Sequence, residues 1–152
     1  MQALERLHPT RARKPGLIAR WEDAYARHGT LTFSANFAVA SGRVIAPTLG
    51  PTRTEDDCAR HLAMPLDTDP AASWLFVADQ LNMHKSASVV RLIAERCNLD
   101  VALGVKGQSG ILPSMATRAA FLPQTDHRMR VVFPPKHTSW LHQVEMWLSA
   151  VS

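Results

Sequence analysis

Two carboxylates stand out by their placement in the sequence. Asp79 is the only acidic residue between Asp69 and Glu95, and it directly follows the apolar run Trp74-Leu75-Phe76-Val77-Ala78. The carboxyl end of a buried strand is where open α/β sheets bind their ligands. An Asp at that place is equally a turn former. Glu145 is the only acid in a helix read over 139–151. On a helical projection Trp140, Val144, Trp147, Leu148 and Val151 fill one arc, and Glu145 sits just past its edge. That position suits a group reaching over a sheet edge, and it also suits an ordinary solvated acid.

Other chemistries find less support. The glycines of Gly104-Val-Lys-Gly107-Gln-Ser-Gly110 lack the spacing of a phosphate-binding loop and do not directly follow the apolar strand. His84, His137 and His142 form no metal-ligand pattern. Ser86 and Ser109 lie near histidines in sequence, but no nucleophile elbow marks either one. Cys58 and Cys97 are too few for a disulfide framework or a Cys-rich zinc site, which points to a reducing cytoplasm.

The elements that must position the two acids follow from periodicity. Residues 30–40 alternate Leu31, Phe33, Ala35, Phe37 and Val39 on one face, a strand with one buried side. Ser41-Gly42 makes a tight turn, and 43–49 returns as a second strand, kept to an edge by Pro47. Thr54 as N-cap with Asp57 at the reciprocal position opens a helix expected to end near Pro65. The run 74–78, apolar on both faces, reads as a central strand covered on both sides. Ser86 or Ser88 caps the next helix, whose buried stripe is Val89, Val90, Ile93, Ala94 and Cys97. Residues 104–127 are punctuated by Gly and Pro around a short helical piece near 114–122. A strand over 129–133 precedes the closing helix. This order predicts an α/β domain with a mixed sheet.

Composition bounds the rest. The 152 residues suit one domain, and 46% hydrophobic with 20% charged is a globular balance that excludes disordered and collagenous classes. No apolar run approaches the ~20 residues of a membrane helix, and no apolar stretch follows the first residues as in a signal peptide. The net charge of +4 is uneven, because residues 1–28 hold six basic against three acidic residues. Arg11, Arg13, Lys14 and Arg20 of this basic N-terminal arm are candidates for contact with a phosphate backbone. A solvated arm has the same pattern.

Longer motifs carry a resemblance. Asp79-Gln80-Leu81-Asn82-Met83-His84-Lys85-Ser86 resembles the second-carboxylate motif of bacterial insertion-sequence transposases in the mariner-like branch of the DDE superfamily. Pro135-Lys136-His137-Thr138-Ser139-Trp140-Leu141-His142-Gln143-Val144-Glu145 is similar to the third-carboxylate motif of that family. Gln2-Ala3-Leu4-Glu5-Arg6, His28-Gly29-Thr30, Gly50-Pro51-Thr52-Arg53-Thr54 and Met115-Ala-Thr-Arg118 match as well, so the likeness covers essentially the whole chain.

The resemblance implies a ribonuclease-H-like (retroviral-integrase-like) mixed sheet flanked by helices. It implies two Mg²⁺ or Mn²⁺ ions roughly 3.5–4 Å apart that activate water or a 3′-hydroxyl and stabilise the leaving oxygen. Asp79 and Glu145 would hold these metals, with Asn82, His84, Lys85, Lys136, His137, Trp140 and His142 flanking them. The implied partners are double-stranded DNA at insertion-sequence ends and further transposase copies, this chain's own or full-length ones. The implied location is the cytoplasm, at the nucleoid, with no membrane.

There are departures from the family pattern. Its first catalytic Asp lies a few residues before the Gln-Ala-Leu-Glu-Arg stretch, which here begins at Gln2, so two of three carboxylates are expected in a core lacking its first strand. No helix-turn-helix region precedes that stretch, and Glu145 is followed by seven residues where the family continues. Gln80 and His142 stand where Asn is usual, and the separation of 66 from Asp79 to Glu145 marks 104–127 as an insertion. The expected function is DNA transposition by phosphodiester cleavage and strand transfer, impaired in this chain. The alternatives are a non-catalytic DNA-binding or transposase-interacting module and an eroded fragment.

Overall fold

A computed structural model describes residues 2–6 and 25–135. The described residues divide into two compact units, one of 2–6, 25–33 and 49–52, the other of 34–48 and 53–135.

In the first unit, β1 (Gln2–Arg6) pairs antiparallel with β2 (Tyr25–Thr30). The register runs Arg6↔Tyr25 to Leu4↔Arg27, then slips so that Gln2 faces Thr30. A bulge of this kind needs one residue outside the usual strand conformation, and Gly29 takes it at φ +121. Both ends of the segment read from sequence as a basic arm are therefore strands. Composition could not show this, because the partners lie about twenty residues apart and pairing is a tertiary choice.

β3 (Thr32–Ala38) and β4 (Arg43–Gly50) form the expected hairpin. The Ser41 and Gly42 amides both donate to the Ala38 carbonyl, at 3.2 and 2.8 Å, and Gly42 closes the turn at φ +65. The single strand read over 30–40 is in fact two, broken at Leu31, and its expected buried face is open, with Leu31, Phe33 and Val39 all exposed.

The rest of the second unit is an α/β body. α1 (Glu55–Thr68) starts at the expected capping box: the Asp57 amide donates to Thr54 Oγ1 at 3.1 Å, and the Thr54 amide donates to Asp57 Oδ2 at 2.9 Å. Pro65 does not end the helix. It lies within it, buried beside Leu66, and the last turn continues to Thr68, whose hydroxyl donates to the Pro65 carbonyl at 2.6 Å. Burial of Pro65 and Leu66 against the core offsets the one backbone hydrogen bond that a proline removes.

β5 (Trp74–Val77) pairs parallel with β6 (Met129–Val132), in register Trp74↔Met129 to Val77↔Val132. α2 (Ala87–Arg96) runs between them in sequence, capped by the Ser86 hydroxyl. It ends in a Schellman arrangement: Asn98 takes φ +50, its amide bonds the Glu95 carbonyl, and the Leu99 amide bonds the Ala94 carbonyl. The core joins Cys58, Leu62 and Leu66 of α1 with Val89, Val90 and Ile93 of α2 and Met129 and Val131 of β6. The expected apolar stripe of α2 is buried up to Ala94, whereas Cys97 falls in the C-cap and is half-buried.

One expectation fails here. Trp74 and Phe76 face the core, but Leu75 and Val77 are 54% and 55% exposed, so β5 is not covered on both faces. Continuous apolarity permits two covered faces but does not supply the second cover. Among the described residues the strands form three two-stranded sheets rather than one mixed sheet.

The segment 104–127 is well organised. The Ile111 and Leu112 amides both donate to the Leu103 carbonyl, at 2.8 and 3.2 Å, closing a loop over 104–110. α3 (Met115–Phe121) follows, with Ser114 and Thr117 as a capping box.

Candidate active site at the end of β5

Backbone pairing of β5 to β6 ends when the Ala78 amide donates to the Val132 carbonyl at 3.0 Å, and Asp79 is the next residue. Its Oδ1 accepts from the Leu81 amide at 3.0 Å, which turns the chain out of the sheet. The same oxygen lies 3.7 Å from His84 Nε2. Asp79 is thus both a turn former and a carboxylate at the carboxyl end of a parallel strand. The side chain is 38% exposed, enough to meet a ligand.

After the turn, Asn82, His84 and Lys85 lie on a short 3₁₀ helix (Asn82–Lys85) that leads directly into α2. Asn82 is exposed. The Lys85 ammonium donates to Gln80 Oε1 and stands 4.6 Å from the centre of the Phe133 ring. Gln80 Nε2 donates in turn to the Pro134 carbonyl. Arg118 on α3 donates through Nε to the Lys85 carbonyl at 2.7 Å and through Nη1 to the Leu112 carbonyl at 2.8 Å.

α1 supplies two buried groups beside this loop. His61 Nδ1 shares a 3.0 Å hydrogen bond with Thr48 Oγ1. Burial, and then the neighbouring His84 charge, lower its pKa. Burial, and then the Asp79 charge, push the Cys58 thiol up to about 11. Cys58 is therefore a protonated wall residue rather than a nucleophile.

The structure brings Asp79, Asn82, His84 and Lys85 into one loop. Lys136, His137, Trp140, His142 and Glu145, with the helix read over 139–151, lie outside the described residues, as do Arg11, Arg13, Lys14 and Arg20. Gln80, Arg118 and His61 emerge from the structure as further parts of the site. His61 left a signal in the sequence, since it is the polar member of an α1 stripe otherwise formed by Cys58, Leu62, Pro65 and Leu66. Arg118 stood in a matched motif, but nothing there marked its role, because its acceptors are backbone carbonyls.

Among the described residues no group of three His, Cys, Asp or Glu side chains gathers to hold a metal. Asp79 fits a divalent cation as one hard-oxygen ligand on a half-exposed loop, and His84 at 3.7 Å is the neighbour a cation would meet first.

A parallel strand pair with a carboxylate at its carboxyl end is the arrangement at which open α/β sheets commonly bind ligands. The chain belongs to the DDE superfamily endonuclease family, whose model matches residues 3–152. That membership puts it among transposase-type nucleases, with DNA as the substrate class. No curated protein and no solved structure matches the chain. No helix among the described residues is long and apolar enough to cross a membrane.

Proposed function

We propose that the chain is the catalytic core of a mariner-like insertion-sequence transposase with a ribonuclease-H-like sheet. Its reaction is cleavage and strand transfer of phosphodiester bonds at element ends. The observation that carries this reading is Asp79, held by an Asx turn at the carboxyl end of parallel β5 within the run Asp79–Ser86. Asp79 and Glu145 would hold divalent metal, Mg²⁺ or Mn²⁺, which when bound supplies activation of the attacking hydroxyl and charge for the leaving oxygen. The protein's own contributions are narrower. Asp79 presents a carboxylate on a loop anchored at both ends. His84 places a second polar group beside that carboxylate. Lys85, tied to Gln80, keeps positive charge near a site that must approach phosphates. Arg11, Arg13, Lys14 and Arg20 would add contacts to the DNA backbone, and 104–127 is a subgroup insertion.

The test is Mn²⁺-dependent nicking of a supercoiled plasmid carrying the element's terminal repeats. Nicking that disappears in Asp79→Asn supports the reading. Nicking that persists unchanged in Asp79→Asn overturns it. Salt-sensitive DNA binding without nicking, unchanged in Asp79→Asn, favours a retained DNA-binding module instead.

A further inference from the structure

The ladder between β5 and β6 stops at the Ala78 amide, because Pro134 and Pro135 have no N–H to continue it. Beyond that point the two strands are tied by a side chain. Gln80 Nε2 donates to the Pro134 carbonyl, and its Oε1 accepts from the Lys85 ammonium. The orientation of the amide is forced. An ammonium only donates and a carbonyl only accepts, so the reversed amide would meet both partners with the wrong atom. Phe133 lies under the same ammonium, which adds a second hold on the end of β6.

This tie joins two parts of the chain that matter for the proposed chemistry. Gln80 follows Asp79 directly. Pro134 opens the stretch of sequence that carries Lys136 and Glu145. We infer that Gln80 is a positioning residue: its amide bridge fixes Pro134, from which the sequence continues toward Glu145, against the loop that carries the Asp79 carboxylate. The inference rests on the proposed metal-holding role of Asp79 and Glu145. A glutamate at 80 could still accept from Lys85, but its oxygen would face the Pro134 carbonyl and the bridge would open. A methionine of similar length would lose both bonds.

The experiment is calorimetric titration of Mn²⁺ into the full 152-residue chain and into Asp79→Asn, Gln80→Met and Gln80→Glu, each checked for native circular dichroism. Both Gln80 variants are expected to weaken Mn²⁺ binding about tenfold, as partners that orient a metal ligand do. The sign in Gln80→Glu is decisive. A carboxylate added beside Asp79 tightens cation binding through charge alone, so weaker binding requires the lost bridge. Binding in Gln80→Glu or Gln80→Met at or above the parent level, with loss in Asp79→Asn, overturns the positioning role. Unchanged binding in Asp79→Asn overturns the functional reading beneath it, and the role with it. Should the Gln80 variants not fold, the unaltered chain decides by hydrogen exchange of the Gln80 side-chain amide. Protection supports the bridge, and exchange at the solvent rate overturns it.

Discussion

Two loops of the α/β body sit close to the same arginine and lean on different kinds of hydrogen bond. The loop after β5, from Asp79 to Ser86, is held by side chains: Asp79 to the Leu81 amide, Gln80 to Pro134, Lys85 to Gln80. The loop over 104–110 is held mainly by backbone, through two amides on the Leu103 carbonyl and glycines where the chain passes against itself, with the Val105 amide on Ser109 Oγ and Lys106 on Glu55 as additions. A backbone-held loop tolerates changes of exposed side chain but not a Cβ where the chain passes against itself. A side-chain-held loop can carry charge and adjust it, at the cost of depending on each partner. The first kind suits scaffolding, the second a site.

The sharpest break of this contrast is at Gly104. A Cβ there would lie 2.2 Å from the Ser109 carbonyl oxygen, and φ is +77. Gly107 has the same φ of +77 with nothing within 4 Å. Gly104→Ala is therefore expected to cost about 3–5 kcal/mol in urea unfolding, as steric clash and backbone strain combine. Gly107→Ala is expected to cost about 1 kcal/mol, the left-handed conformation alone. Equal losses at the two positions would remove the close-packed account of the loop.

A middle-sized effect is expected at Arg118, which bonds the Lys85 carbonyl with one nitrogen and the Leu112 carbonyl with another. It ties the first loop to the residue beside the second, since the Gly107 amide bonds the same Leu112 carbonyl at 3.4 Å. Arg118→Met is expected to lower stability by about 2 kcal/mol through two half-buried, charge-assisted bonds. Arg118→Lys should recover only part of this, since an ammonium lacks the fork that spans both carbonyls. Full recovery by lysine would show that charge, not geometry, joins the loops.

The smallest effect concerns pH. Burial keeps His61 neutral, so its folded pKa lies below the ordinary 6.5. The unfolded chain then binds the extra proton first, and stability falls as pH drops through about 6.5 toward the lower folded value. His61→Leu should flatten that part of the stability–pH curve, measured by thermal unfolding between pH 7.5 and pH 5. Gly107→Ala, in the backbone-held loop, should leave the slope unchanged. An unaltered slope in His61→Leu would show that another group carries the titration.

Legibility differed between the parts of the site. Asp79 was visible as a lone acid after an apolar run, and both readings of it proved compatible, because one oxygen can hold the turn on an exposed carboxylate. Gln80 was visible only as a departure from the family pattern. Its meaning needed Pro134, 54 residues away. Arg118 stood in a matched motif without a role, since nothing in a sequence marks which carbonyls a guanidinium will reach. Lys136, His137, Trp140, His142 and Glu145 rest on the resemblance and the family match.

What the sequence by itself determined are the features written in short-range chemistry. The Thr54–Asp57 box, the Ser86 cap, the Gly42 turn and the buried stripe of α2 each depend on residues within a few positions of one another. Tertiary structure alone decided that β1 pairs with β2, that Pro65 stays inside α1, that Leu75 and Val77 remain exposed, and that an amide replaces the last rung between β5 and β6. The physical reason is range. Capping and periodicity are settled by local hydrogen bonds and helical geometry, whereas pairing, burial and side-chain bridges are settled by which distant surfaces the chain can bring together and keep from water.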